Sequence, residues 1–305
     1  ASAFAGIEYL IVTASPYAAA MQSIADWKTQ KGLPAKVALI EDINFSYSGR
    51  DGAERLHEFL RDVYFNATGH ALKYVLLGGG AAIIPIRYLL TNGSVITSYT
   101  HDYVFSDVYY AGLDTNWDAD GDGTFGEYRE EDWNANVYVG RLPFNSLTEA
   151  GFARDNLLSY EQAPFVGPWM KSAVAFASVM DPPNNEAPPN NYDWFEDNAL
   201  RSVDLTTPYL PSTMSVDVLA DYYELPPLNY TPGQDRLSGP SMVGAISAGK
   251  SVVMSVTHGW VPSGRGVPEY SGTGADYTWG TGLVYQNASA FTNFGQLSFG
   301  YFSSC

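Results

Sequence analysis

Short apolar runs alternate with amphipathic stretches along most of the chain. Glu8 to Thr13 is rich in β-formers and predicts a buried strand. Ser15-Pro16 follows, an N-cap residue with proline at the first helical position, and Tyr17, Met21, Ile24 and Lys28 then recur at helical spacing up to Gly32. A second strand is predicted over Ala35 to Ile40. A helix from about Gly52 carries Leu56, Phe59, Leu60 and Val63 on one face, and a third strand covers Lys73 to Leu77. Strands alternating with amphipathic helices imply a parallel, doubly wound sheet.

The alternation continues past a long irregular stretch. Asn136 to Gly140 predicts a fourth strand, and Ser146-Leu147-Thr148-Glu149 is a capping box opening a helix to about Glu161. Pro164, Gly167 and Pro168 mark a boundary, which predicts two lobes, residues 1–165 and 166–305. The second lobe repeats the pattern with a strand at Ala173 to Ala177, a helix near Tyr192 to Leu200 and a strand at Ser215 to Leu219. A helix at Ser241 to Ala248 and an apolar strand at Ser251 to Thr257 follow. The fold class is therefore α/β, two lobes each with a mainly parallel sheet flanked by helices.

The last two apolar runs end on reactive residues. Ser251 to Thr257 leads into His258-Gly259, and Leu297 to Phe302 leads into Ser303-Ser304-Cys305, which holds the single cysteine of the chain. If those runs are neighbouring parallel strands, the imidazole and the thiol face each other at the carboxyl ends, where open parallel sheets bind ligands. A histidine beside a cysteine favours the thiolate and can protonate a leaving amine. Gly259, with no Cβ, lets a backbone N–H approach a developing oxyanion. The competing reading of each residue is structural, a small buried thiol and a hydrogen-bonded core imidazole.

Charge narrows the partners. Sixteen Lys and Arg against 33 Asp and Glu give a net charge of −17, which disfavours nucleic acid and anionic membranes and favours cationic substrates. The longest apolar candidate for a membrane span, Tyr74 to Ile86, is broken by Gly78-Gly79-Gly80 and Pro85. The chain opens on Ala1, which fits prior removal of a signal peptide or pro-segment. Five N-x-[ST] sequons, at Asn44, Asn66, Asn92, Asn229 and Asn287, suit a secreted or cell-surface glycoprotein.

Asp118-Ala119-Asp120-Gly121-Asp122-Gly123-Thr124 sets three carboxylates at alternate positions around glycines, the first half of an EF-hand loop. The twelfth position is Arg129, so a closing carboxylate has to come from Glu127 or Glu130. Asp118, Asp120, Asp122, Thr124 and Glu127 are the candidate ligands of a structural calcium ion, the alternative being a solvated acidic turn.

Several stretches, in this order, resemble the gingipain family of cysteine peptidases in the caspase-like group. They are Tyr9 to Thr13, Trp27 to Gly32, Tyr74 to Gly78 with Ile84-Pro85, Ser106 to Tyr110, Trp117 to Glu127, Val139 to Pro143, Tyr160-Glu161, His258-Gly259 and Cys305. The resemblance implies an α/β fold of two lobes, a His258/Cys305 dyad and an oxyanion hole made by the Gly259 and Cys305 backbone amides. It also implies that Asp107 stands near the dyad, binding a basic side chain before the scissile bond or orienting the histidine. The implied activity is an extracellular cysteine endopeptidase acting on proteins or peptides, with further domains of the same polypeptide or a cell-surface assembly as partners. The rival is a catalytically inactive, peptidase-like structural or adhesive glycoprotein. A carbohydrate-active enzyme or lectin, suggested by the 14% aromatic content, lacks an evident pair of flanking acids.

Overall fold

A computed structural model describes residues 2–91, 102–177, 207–220, 237, 239–256, 267–270, 277–280 and 290–303. The chain divides into two compact units, Ala1–Glu161 and Gln162–Cys305.

The first unit is built on a four-stranded sheet in the order β2-β1-β3-β6, with all pairings parallel. Its strands are β1 (Tyr9–Thr13), β2 (Ala35–Leu39), β3 (Tyr74–Gly78) and β6 (Tyr138–Leu142). Alternate residues of a strand point to opposite faces, and two clusters divide the core accordingly. Leu10, Val12, Val75 and Leu77 pack with Leu56, Phe59 and Leu60 of α3 (Gly52–Asp62) and with Ile40 and Ile43 of α2 (Ile40–Ser46). Ile11 and Leu76 point the other way, onto Met21 and Ile24 of α1 (Ala18–Gln30) and Ala150 of α4 (Leu147–Gln162). Burying the three large apolar side chains of α3 contributes about 1.5–3 kcal/mol each.

The helix ends correct two expectations. Ser15 begins a 3-10 turn, Ser15–Tyr17, whose cap position is Ala14, so no side chain caps it, and the Ser15 N–H donates to Glu41 Oε1 at 2.9 Å. In the capping box Ser146 Oγ accepts from the Glu149 N–H at 3.2 Å, but the Glu149 carboxylate returns to the N–H of Asn145 at 2.6 Å, one residue earlier than expected. The cap of α3 is Asp51, which accepts from the Glu54 N–H at 2.9 Å.

An antiparallel pair, β4 (Arg87–Thr91) and β5 (Asp102–Ser106), stands apart from the main sheet. Past β3 the backbone turns at Gly79, whose φ is +147° and whose missing Cβ would lie 2.7 Å from Ile83 Cβ. Only glycine adopts this turn without strain.

The second unit holds a second parallel sheet, β12-β9-β7-β8. Its strands are β7 (Ser172–Ala177), β8 (Ser215–Ala220), β9 (Val252–Val256) and β12 (Phe299–Ser303). Val174, Phe176 and Val253 cover Met242 and Ile246 of α5 (Gly239–Ser247), while Ala175 and Ala177 face the opposite side with Met254 and Val256. A small antiparallel pair, β10 (Val267–Tyr270) and β11 (Tyr277–Gly280), lies outside this sheet. The expected helix near Tyr192 to Leu200 lies outside the described residues.

Candidate functional site

The expectation that the last two apolar strands are parallel neighbours holds. β12 pairs with β9 in a register that runs from Phe299↔Val252 to Ser303↔Val256. His258, Gly259 and Cys305 themselves lie outside the described residues.

In the first unit, Asp107 opens a 3-10 turn, Asp107–Tyr110, that Ser106 caps by accepting the Val108 N–H at 3.1 Å. Its carboxylate is met by the guanidinium of Arg141 in β6. Nε donates to Oδ2 at 2.8 Å and one Nη donates to Oδ1 at 2.7 Å. The remaining guanidinium hydrogens go to the carbonyls of Gly79 at 2.8 Å, Ile84 at 2.8 Å and Pro85 at 3.3 Å. Every N–H of Arg141 is thus engaged, in the fork geometry that guanidinium offers. Arg141 stands in β6 opposite Leu77 of β3, and its three carbonyl bonds reach the segment that follows β3. Asp107 is a quarter exposed and Arg141 half as much. The sequence named Asp107, whereas Arg141 was visible there only as part of a similar stretch.

The acidic loop is wound by its own carboxylates. Asp118 accepts the N–H groups of Gly121 at 2.9 Å and Gly123 at 3.0 Å, Asp120 accepts that of Asp122 at 3.1 Å, and Asp122 that of Thr124 at 2.7 Å. Gly121 and Gly123 have φ of +79° and +95°, as the sharp turns require. Asp118 is buried, which by itself would raise its carboxyl, but its ion pair with Arg50 and the two glycine amides outweigh this and hold it below the ordinary range.

Carboxylate oxygens of Asp118, Asp120 and Glu130 lie within 4.8 Å of one another, as do those of Asp120, Asp122 and Glu127. Arg129, at the twelfth position, takes a left-handed φ of 77°. Next to it, Glu130 Oε1 accepts the Asp120 N–H at 3.2 Å. Glu130 Oε2 is buried with no hydrogen-bond partner among the described residues. The carboxyl of Glu127 is raised, first by its own desolvation and then by Asp122, Asp120, Glu130 and Asp118. Crowded anions and an orphaned oxygen form a donor set that a hard cation fits. Thr124 contributes its backbone N–H to the winding. Glu127 and Glu130, the two closing carboxylates the spacing offered, both stand among these groups, and Asp118 is the one already serving an internal cation.

Among the sequons, Asn44 and Asn66 are exposed, and Asn66 Nδ2 donates to Asp62 at 2.9 Å. Asn92, Asn229 and Asn287 lie outside the described residues.

The family model described as Peptidase family C25 matches residues 2–305. The chain belongs to peptidase family C25. Among solved structures, this C25 chain is similar to the Arg-specific cysteine proteinase gingipain R (RgpB), with 21% identity and a TM-score of 0.62 over 98% of this chain and 54% of that one. It is likewise similar to a complex of the pro- and mature domains of RgpB from Porphyromonas gingivalis, with 20% identity and a TM-score of 0.63 over 98% of this chain and 55% of that one. These likenesses establish the gingipain-like α/β fold. The chain spans about half the length of these solved relatives. No curated protein sequence matches it. No helix among the described residues is long and apolar enough to cross a membrane.

Proposed function

We propose that this C25 chain is the catalytic part of an extracellular cysteine endopeptidase. The observation that carries the reading is the β9–β12 register. Its last pair is Ser303↔Val256, and Cys305 and His258 each stand two positions past that pair in the sequence. Family membership supplies the reaction class.

In this reading the Cys305 thiolate attacks the peptide carbonyl carbon, and the electron pair of the C=O moves to oxygen, which the Gly259 and Cys305 N–H groups stabilise. The C–N bond then breaks, His258 gives its proton to the departing amine, and water hydrolyses the thioester to return the thiol. Asp107 is taken as a substrate-binding residue of the first unit. The lobes are taken as residues 1–165, with the acidic loop and Asp107, and 166–305, with the dyad.

Calcium belongs to the same proposal. Asp120, Asp122, Glu127 and Glu130 would hold it, with Asp118 shared with Arg50, and the ion would supply positive charge that steadies the loop. Exposed Asn44 and Asn66 fit glycan attachment in a secreted or cell-surface protein.

The deciding test labels the protein with acyloxymethyl ketone peptides carrying either arginine or a neutral residue before the warhead, read by mass spectrometry. Labelling at Cys305 that disappears in His258→Ala supports the dyad, and the ratio between the probes reads the expected preference for basic residues. If folded protein with calcium resists every peptide probe while unfolded protein is alkylated at Cys305, the reading falls, and the inactive surface glycoprotein replaces it.

A further inference from the structure

Resting on the assignment of the chemistry to His258 and Cys305, we infer that the segments entering β9 and β12 form a polar key that fixes the register of these strands, with Lys250 as its central positioning residue. The key lies at the amino ends of the second sheet, opposite the ends that run on to the histidine and the cysteine.

Four serines stand level there. Ser172 of β7 is the register partner of Ser215 of β8. Ser251 precedes the pair Val252↔Ala173 and Ser298 precedes the pair Phe299↔Val252, so both fall on the same row. Three of the hydroxyls donate across to a neighbouring segment. Ser215 Oγ reaches the Lys171 carbonyl at 3.3 Å, Ser251 Oγ that of Ser172 at 3.2 Å, and Ser298 Oγ that of Lys250 at 2.6 Å. Lys250, only 6% exposed, donates to Ser172 Oγ at 2.8 Å and forms an ion pair with Asp217 of β8. Its side chain thus holds β9 to β7 and β8, and its carbonyl takes the hydroxyl that leads β12. A second contact keys the same two segments. Gly249 has a φ of +87°, and a Cβ there would lie 1.9 Å from Gln296 Oε1, so the Gln296 side chain fits only over glycine.

β12 needs such a key. It is an edge strand paired to β9 alone, and Phe299 and Gly300 are exposed, so burial of neither selects a register. A parallel ladder repeats every two residues, and a slip of two also keeps each side chain on its face. Backbone pairing alone therefore accepts the slipped strand, whereas the key rejects it. Gly300 or Gln296 would then stand opposite Lys250 in place of Ser298. The first has no side chain to donate, and the second leaves its seat over Gly249. The far ends would move about 6–7 Å out of step, which takes an acid–base residue out of hydrogen-bond reach of its nucleophile. Lys250 touches no reacting atom and acts through the register.

The test traps the register in the full chain carrying Cys305→Ala. Met254→Cys is combined with Tyr301→Cys, its register partner, or with Phe299→Cys or Ser303→Cys, two positions to either side. Partners about 4.8 Å apart suit a disulfide, whereas residues offset by two lie about 8 Å apart and do not. After mild oxidation, bridged peptides are read by mass spectrometry. The unsubstituted key should give the 254–301 bridge alone, and Lys250→Met or Ser298→Ala should raise the offset bridges several-fold. A second readout keeps Cys305 and follows its alkylation by iodoacetamide against pH. A thiol paired with histidine reacts at lower pH than a free one, and this profile should move toward the free thiol in folded Lys250→Met and in His258→Ala.

A 254–301 bridge alone in both folded variants overturns the inference, as does a slipped register that leaves the alkylation profile unchanged. If Lys250→Met does not fold, Ser298→Ala decides. An alkylation profile that is the same in the unsubstituted chain and in His258→Ala removes the dyad instead, and the bridges alone then decide whether the key sets the register.

Discussion

Arg87 donates one N–H to each oxygen of Asp51, both at 2.8 Å, and so ties β4 to the residue that caps α3. Arg87 is buried, its guanidinium lies 3.7 Å from the centre of the Phe125 ring and 4.8 Å from that of Tyr109, and its Nε has no partner among the described residues. Asp51 therefore does two jobs, capping a helix and neutralising a cation that has few other options.

Asp51→Ala removes both. A lost cap costs about 1 kcal/mol, and a buried group left without its partner costs about 1–3 kcal/mol. Urea unfolding should show a loss of about 2–4 kcal/mol, with Asp51→Asn recovering part of it through the cap. Equal stability of Asp51→Ala and the unsubstituted chain would refute this account.

Acid should unfold the first unit through named carboxylates. Burial by itself would raise Asp51 and Glu161, but Arg87 and the helix amides at the first, and Lys28, Lys31 and Trp27 at the second, bring both below their ordinary values. Glu54 is lowered by hydrogen bonding to Arg50, and Asp62 by hydrogen bonding to Tyr47 and Asn66. Groups more acidic in the folded state add stability above their unfolded pKa and lose it as pH falls through the folded one. The urea midpoint should therefore hold near neutrality and decline below about pH 4. Glu161→Gln should start lower and decline less steeply. A midpoint independent of pH down to 3 would contradict the assignment.

The acidic loop gives a separate prediction. Calcium at saturating concentration should raise the melting temperature by a few degrees, since a ligand at a hundred times its dissociation constant adds about 2.7 kcal/mol. Asp120→Asn and Glu130→Gln should each abolish the shift, and terbium luminescence excited through nearby aromatic residues should be lost in the same variants. A calcium shift that survives both substitutions would place the ion elsewhere.

Gly79→Ala tests the turn after β3. A Cβ there would press on Ile83 at 2.7 Å while φ stays at +147°. A loss of about 2–3 kcal/mol is expected from strain and overpacking together. Since the Gly79 carbonyl accepts from Arg141, the shift should also loosen the Arg141 clamp. Unchanged stability would mean that the turn has another accessible conformation.

The sheet was legible wherever apolar runs were short and bounded. β1, β2, β3 and β6 fall within two residues of the runs that predict them. β1 and β3 are buried on both faces and leave a continuous hydrophobic signature, whereas the edge strands β2 and β6 are only partly buried. β4 and β5 escaped, since in β4 the buried positions flanking exposed Tyr88 are a charged residue, Arg87, and Leu89, and in β5 Tyr103, Val104 and Phe105 are exposed in succession. The carboxylates of the acidic loop were readable from spacing alone. The cations that pair with this and other carboxylates of the unit were not. Arg50, Arg87 and Arg141 reach Asp118, Asp51 and Asp107 through contacts that only the folded topology creates. The pairing of the last two strands was legible as a pattern, and its register is set by the ladder itself.

β6 completes the first sheet by pairing Tyr138 with Tyr74, and between those partners run β4, β5 and the acidic loop. The chain must close that whole span before the ladder returns any free energy, and the entropy cost of closure grows with the logarithm of its length. Each tether that shortens the span beforehand, the clasp of Asp51 on Arg87 and the winding of residues 118–124 above all, reduces what remains to be closed. Formation of the sheet's last edge is therefore expected to be the slow event in the folding of this unit. A refolding rate that falls in Asp51→Ala and Asp120→Asn would check that it follows a loop contributing no strand to the sheet.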